Sequence, residues 1–357
     1  MIRLTWRQFR AQAAVAIGAL AAVAIVVAIT GPHLIHLYDT TVATCGAHGD
    51  CPAVTMAFLR NDSSLRAGLG ILVIAAPAIT GIFWGAPLVA REIEAGTFPL
   101  AWTQSVTRTR WLTVKMGVIG LAGLAVAGLL SLMVTWWASP LDRVSMNEFG
   151  PFDQRGIVPI GYAALACALG VTAGTLIRRT LPAMATTMVA FVTARIAVTS
   201  WIRPLLSAPW HRDFALNPAS TGFGSSGSGL SFFGMLFGGG PPQTLQPAAP
   251  DIPGAWIYST RILDQAGQPL NSLVLKRDCP AEGGPGPAGA PARSQVPAAV
   301  QQALHDCVAK VGATYHEVVT YQPAQRYWAF QWEELAIYLG AAVVLAGLCL
   351  WWVRRRT

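Results

Sequence analysis

Residues 84–115 read WGAPLVAREIEAGTFPLAWTQSVTRTRWLTVK. This polar, charged stretch is wedged between two long apolar runs, at 71–90 and 112–138. Arg91, Glu92 and Glu94 stand together, and Arg108, Arg110 and Lys115 follow. Pro87 suits the first turn of a helix, where its missing N–H costs nothing, and Gly96 suits a left-handed terminator. The spacing therefore predicts a short helix over 86–96 in a loop between two apolar spans. A charged helix held outside the hydrocarbon suits docking onto a soluble partner.

The rest of the chain fits that setting. Of its 357 residues, 53% are hydrophobic and 12% charged, against about 25% charged in soluble domains. Such a deficit means that lipid solvates much of the chain. Only three lysines occur, at 115, 276 and 310, so the net charge of +8 is almost entirely arginine. The arginines sit beside apolar runs, which speaks for membrane topology and against nucleic acid as a partner.

Hydropathy picks out six runs near the ~20 residues needed to cross ~30 Å of hydrocarbon. They are 13–34, 68–89, 112–138, 157–177, 181–202 and 334–353. Arg3, Arg7 and Arg10 precede the first, as in a secretory signal. Its apolar core outruns the roughly 7–15 residues of such a signal, and no small-residue cleavage site follows, so it reads as a retained span.

Orientation follows from the basic residues. One alternating set of segments holds Arg3, Arg7, Arg10, Arg91, Arg108, Arg110, Lys115, Arg178, Arg179 and Arg354 to Arg356. The short loops of the other set, 35–67 and 139–156, hold only Arg60, Arg66, Arg143 and Arg155. The positive-inside rule then puts both termini in the cytoplasm of a multi-pass plasma-membrane protein, with 203–333 outside. An oxidising exterior permits disulfides between the outside cysteines, and the expected pairs are Cys45–Cys51 and Cys279–Cys307. Cys167 and Cys349 fall within spans and read as packing residues.

The expected architecture is an all-α polytopic bundle of six transmembrane helices carrying a small, disulfide-stapled α+β insert. Residues 1–12 form an amphipathic interfacial elbow, with Ile2, Trp6 and Phe9 on one face and the arginines on the next. Spans one to five occupy 13–202, including a cytoplasmic loop at 86–111. The insert covers 203–333, and 334–357 hold span six and a basic tail. Within the insert, 256–263 and 270–275 flank Gly267 as a predicted hairpin, and 297–311 carry a helical apolar spacing that places Cys307 on the buried face. Gly170 and Gly174 form a GxxxG pattern that suits close helix packing or dimerisation. Pro77 predicts a kink in span two. Tyr321 to Trp332 read as an aromatic belt at headgroup level.

Several of these stretches resemble the permease subunits of type-2 ABC exporters, particularly the actinobacterial kind. They are the 84–115 loop, FDQRGIVPIGY at 152–162, the YQP entry at 321–323 and the WWVRRR exit at 351–356. In that family the first cytoplasmic loop is the coupling helix that contacts the ATPase subunit, and an elbow helix precedes span one. The resemblance implies ATPase coupling through Arg91, Glu92, Glu94, Gly96, Thr97, Gln104, Ser105 and Arg108. Glu92 and Glu94 would meet basic groups of the ATPase while Arg91 pairs internally. It further implies two ATPase copies, a second permease copy or homologous permease, and surrounding membrane lipid. ATP and Mg would be held by the ATPase partner, and this subunit would bind no cofactor.

Residue by residue, the chain offers no bond-making chemistry. GxxxxGK[ST] is absent, so ATP hydrolysis requires another subunit. His316-Glu317 lacks the second histidine of a zinc-binding helix face, GxSxG is absent, and the six histidines have no metal spacing. The ionisable residue deepest in a span is Arg195, about two-thirds along span five. It reads either as a snorkelling or paired side chain, with Asp153, Glu148 or Asp142 as partner, or as part of a substrate path. Glu333 and Glu334 are expected in solvent at the rim of span six. The apolar interior suits export of an amphipathic or hydrophobic cargo, a drug, lipid or peptide. The alternative is a polytopic sensor or assembly protein whose outer lobe binds a ligand or partner.

Overall fold

A computed structural model describes residues 2–45, 51–94, 107–145, 149–216, 252–270, 302, 306 and 309–355. Six helices among them are long and apolar enough to cross a membrane. They are Phe9–Val42, Ser63–Glu92, Thr109–Val144, Val158–Ile177, Thr180–Leu205 and Ala324–Arg355, called here spans one to six. All six expected runs are present, and all but the fourth are extended at their ends. The helix holding span three, Arg108–Ser145, has 38 residues and so reaches about 57 Å at 1.5 Å per residue. It therefore projects well past ~30 Å of hydrocarbon.

The chain divides into two units, 1–208 with 325–357, and 209–324. In the first, span four is the centre. Two-thirds of its apolar window is buried (67%), against 11% for span one, and 14 of its 20 residues are buried, Gly161, Tyr162, Ala166 and Val171 among them. The expected GxxxG seam is spent inside this unit. A side chain on Gly170 would strike the backbone of Gly81, Gly85 and Ala86, and one on Gly174 would strike the carbonyl of Ala86. Spans two and four thus touch backbone to backbone, which leaves these glycines no face for a second copy.

Two expectations about helix boundaries are corrected. One continuous helix runs Ile2–Leu37, so no break separates an elbow at 1–12 from span one; no proline or capping residue interrupts the alanine-rich stretch that joins them. Span two likewise continues through a π-helical turn at Gly81–Gly85 into Ala86–Glu94. The segment expected as a free-standing loop helix is the end of a span. Pro87 is carried within this continuation, next to the irregular turn. The irregular π turn begins four residues after Pro77, whose missing N–H removes the ladder bond to the carbonyl of Val73.

At the opposite end, the loop before span four is tied down by one residue. The Gln331 side-chain oxygen accepts hydrogen bonds from the N–H groups of Ile157 (3.0 Å) and Val158 (3.1 Å), two of the unsatisfied donors at the start of that helix. Its amide donates to the carbonyls of Phe152 (3.2 Å) and Arg155 (3.3 Å). Gly156 sits against it at φ +73°, a conformation glycine adopts without strain. Phe149, Phe152, Tyr327 and Phe330 stack around the loop.

Cys45 and Cys51 form the expected disulfide, and Cys167 and Cys349 are free and buried. Cys279 and Cys307 lie outside the described residues, as does most of the 297–311 helix.

The second unit contains an antiparallel sheet ordered β1-β3-β2, with β1 at Trp210–Ala215, β2 at Trp256–Asp264 and β3 at Tyr315–Gln322. The predicted turn at Gly267 forms (φ +77°), and the chain returns beside β2 through a Leu263–Pro269 bridge. The main partner of β2 is β3, not 270–275. Tyr321, expected in a membrane belt, is instead buried in β3 with Val319. Glu317, on the same face, is 2% exposed, and loss of water pushes its carboxyl up to about 7.

Candidate functional site

Polar side chains concentrate at the two ends of the bundle. At the arginine-rich end, the 86–94 helix presents Ala86, Val89 and Ala90 inward. Ala86 and Ala90 are fully buried against Ala173 of span four and Ala183 of span five. Val89 joins Trp111 and Leu112 of span three, Val171 of span four and Cys349 of span six. The tip of span two is therefore packed against four other spans.

Two polar anchors add direction to that packing. Glu92 pairs with Lys115, a span-three lysine only 3% exposed, whose ammonium lies 4.6 Å from the centre of the Trp111 ring. Glu94 accepts hydrogen bonds from the backbone N–H (3.1 Å) and hydroxyl (2.7 Å) of Thr180, at the first turn of span five. A carboxylate is favoured at that positive helix end. The Thr180 hydroxyl, then its N–H, hold the Glu94 carboxyl below the ordinary range. Glu92 and Glu94 are thus engaged within the chain, whereas Arg91 is exposed and makes no ion pair or hydrogen bond among the described residues. The internal pairing expected of Arg91 is made by Glu92 instead, because helical spacing turns Glu92 toward Lys115 and Arg91 away from it. Gly96, Thr97, Gln104 and Ser105 lie outside the described residues, and Arg108 begins the third-span helix.

At the other end the charges close on themselves. Arg203, at the end of span five, donates to Glu334 through Nε (2.8 Å) and Nη2 (2.9 Å) and also pairs with Asp153. Arg195 lies 3.7 Å from the second oxygen of Asp153, with its guanidinium 3.6 Å from the centre of the Tyr162 ring. The Tyr162 hydroxyl donates toward Asp153 (2.8 Å) and Glu334 (3.2 Å). Burial alone would raise the Asp153 carboxyl, but the charges of Arg203 and Arg195 outweigh it and hold it at about 2. Two cations and two anions balance, as groups removed from water require.

Of the three partners considered for Arg195, the structure selects Asp153. Asp142 pairs with Arg155, and Glu148 lies outside the described residues. The expectation that Glu334 faces solvent is corrected: it is fully buried. The sequence carries a signal for this, since Gln331, Glu334, Leu335 and Tyr338 recur at i, i+3, i+4 and i+7 and so share one buried helix face. Arg203 is the functional candidate that sequence reading missed, hidden as the first residue of an apparent linker. No group of three or more His, Cys, Asp or Glu among the described residues is placed to hold a metal ion.

Six apolar helices with their polar groups gathered at the ends define a multi-pass membrane protein. A family model described as ABC-2 membrane transporter related matches residues 17–203, more than half the chain. The chain belongs to that family, and is a membrane subunit of the type-2 ABC permease kind. The matched region runs from span one to Arg203 and so contains the 86–94 segment, Arg195 and Asp153. The chain matches no curated protein and no solved structure.

Proposed function

We propose that this protein is the membrane-spanning subunit of an ATP-driven exporter, coupled to a separate ATPase through the 86–96 segment and the loop that follows it. The supporting observation is mechanical. The 86–94 helix is seamed by fully buried alanines to spans four and five, and tied to span three through Glu92–Lys115. A push on its tip is transmitted to the bundle, because packed helices shift as units and deform little. In this reading Glu92 and Glu94 are the inward anchors of the lever, and the residues from Gly96 to Arg108 meet the ATPase, two copies of which serve two permease copies. The ATPase binds ATP and Mg.

The distribution of basic residues supports an orientation with the arginine-rich end in the cytoplasm and residues 209–324 outside. Cysteine labelling is then expected to reach positions 104 and 355 from inside and 265 from outside. The apolar span surfaces favour an amphipathic or hydrophobic cargo, with Arg195 near its outer path.

The test is ligand-stimulated ATP hydrolysis by the purified complex. Lys115→Met removes the ion pair between the lever and span three while leaving the Val89 packing on Trp111 and Leu112 in place. The expected result is normal ATPase recovery with stimulation reduced about tenfold or more, in line with loss of a charge-assisted bond of roughly 1.5–3 kcal/mol. Full stimulation in Lys115→Met contradicts the lever.

A further inference from the structure

We infer that the cleft where spans one, two and three meet at the arginine-rich end binds an anionic phospholipid, its phosphate on Arg91 and its apolar part against Phe9, Trp84, Leu88 and Ile119. The cleft has a volume of about 290 Å³, at the lower end of the ~300–1,000 Å³ typical of ligand sites, so it takes part of a lipid and not the whole. Its floor is preformed: Phe9 and Trp84 meet edge to face at 5.0 Å, and both are buried. Trp84, Leu88 and Arg91 recur at i, i+4 and i+7, one face of the continuous second span, turned away from the alanine seam that packs on span four.

The polar groups around the cleft differ in their commitments. Gln12 donates to the carbonyl of Phe83 at 3.3 Å, inside the π-helical turn, and Glu92 is taken by Lys115. Arg91, among the described residues, has no partner. A planar cation at the mouth of an apolar cleft matches an oxyanion carried on an apolar body, through charge-assisted hydrogen bonds below and hydrophobic contact above. A free anion leaves the aromatic walls in water, and a zwitterionic lipid presents its own cation to Arg91. The bilayer supplies the matching ligand at this depth, where basic pockets between helices hold acidic headgroups. Only the naming of the leaflet, cytoplasmic, rests on the orientation proposed above.

Native mass spectrometry of the full-length permease alone, titrated with phosphatidylglycerol or phosphatidylcholine of matched chains, tests this directly. The wild type is expected to retain phosphatidylglycerol preferentially, and Arg91→Gln to lose about fivefold in that preference, the weight of one arginine near an acidic surface. Leu88→Trp, which fills the cleft and leaves Arg91 in place, is expected to lower phosphatidylglycerol retention as well. An unchanged melting temperature in both variants excludes misfolding as the cause. Equal retention of the two lipids by the wild type, or undiminished preference in either variant, overturns the assignment. Displacement of the lipid by millimolar inorganic phosphate identifies a free-anion site instead and equally overturns it.

Discussion

The two ends of the bundle use charge in opposite ways. At the end carrying Asp153, two arginines and two carboxylates neutralise one another behind aromatic rings, and Gln331 fastens the neighbouring loop to span six. At the other end each carboxylate has its own anchor, Glu92 on the buried Lys115 and Glu94 on Thr180, and Arg91, Arg178 and Arg179 around them are exposed. A closed neutral network holds helices together at a fixed distance. A set of separate anchors ties a segment to several neighbours one contact at a time. One end is built as a clamp, the other as a handle.

The comparison breaks most readily at the clamp. Arg203→Met leaves Glu334 buried without its cation, and removing one partner of such a pair costs about 3–5 kcal/mol. The expected outcome is loss of most folded protein from a detergent-solubilised preparation, measured by size-exclusion yield. Arg203→Met combined with Glu334→Leu removes charge in a balanced way, because Arg195 still faces Asp153, and is expected to recover a large part of that yield. Equal losses in the single and double variants would show that the ion pair is incidental.

Next in size is the seam that carries the handle. Gly170→Leu drives a side chain into the backbone at Gly81 and Ala86, and overpacking of this kind costs about 1–3 kcal/mol. A melting temperature several degrees lower is expected, with larger loss of ATPase stimulation than of ATPase binding. An unchanged melting temperature would place the seam elsewhere.

How much of this was legible in the sequence follows the same division. The six spans and the Cys45–Cys51 bridge follow from composition and spacing, because lipid enforces long apolar runs. The clamp was half legible. Arg195 and Asp153 draw notice as a charge in a span and its candidate partner, whereas Arg203 and Glu334 lie at span ends, where charges usually meet solvent. Only the stripe through Gln331, Glu334 and Tyr338 tells against that reading. The 86–94 helix was visible, but its continuity with span two was not, because Gly81, Gly85 and Pro87 look like breaks, whereas the two glycines bound a π turn and Pro87 sits in the first turn of the helix that continues from it. In the second unit, β3 escaped notice because YHEVVTYQ runs straight into aromatic residues that resemble a headgroup belt.

A smaller effect separates the two units by pH. The Asp153 carboxyl is held at about 2 in the fold against an ordinary 3.8, so its contribution is complete above pH ~4 and is lost as pH falls toward 2. Glu317 runs the other way: its carboxyl is raised to about 7 from 4.5, so stability falls as pH rises from ~4.5 through 7. Hydrogen exchange is expected to show β3 better protected at pH 5 than at pH 8, with the difference abolished by Glu317→Gln. Equal protection at the two pH values in the wild type would place Glu317 in a wetter setting.

The handle itself is tested most directly by photo-cross-linking in membranes that contain both permease and ATPase. Benzoylphenylalanine installed at Ala95 or Gln104 is expected to form adducts with the ATPase subunit, whereas the same probe at Asn61 or Asp264 forms none. Adducts from Asn61 or Asp264, with none from Ala95 or Gln104, would contradict both the orientation and the assignment of the 86–96 segment as the coupling element.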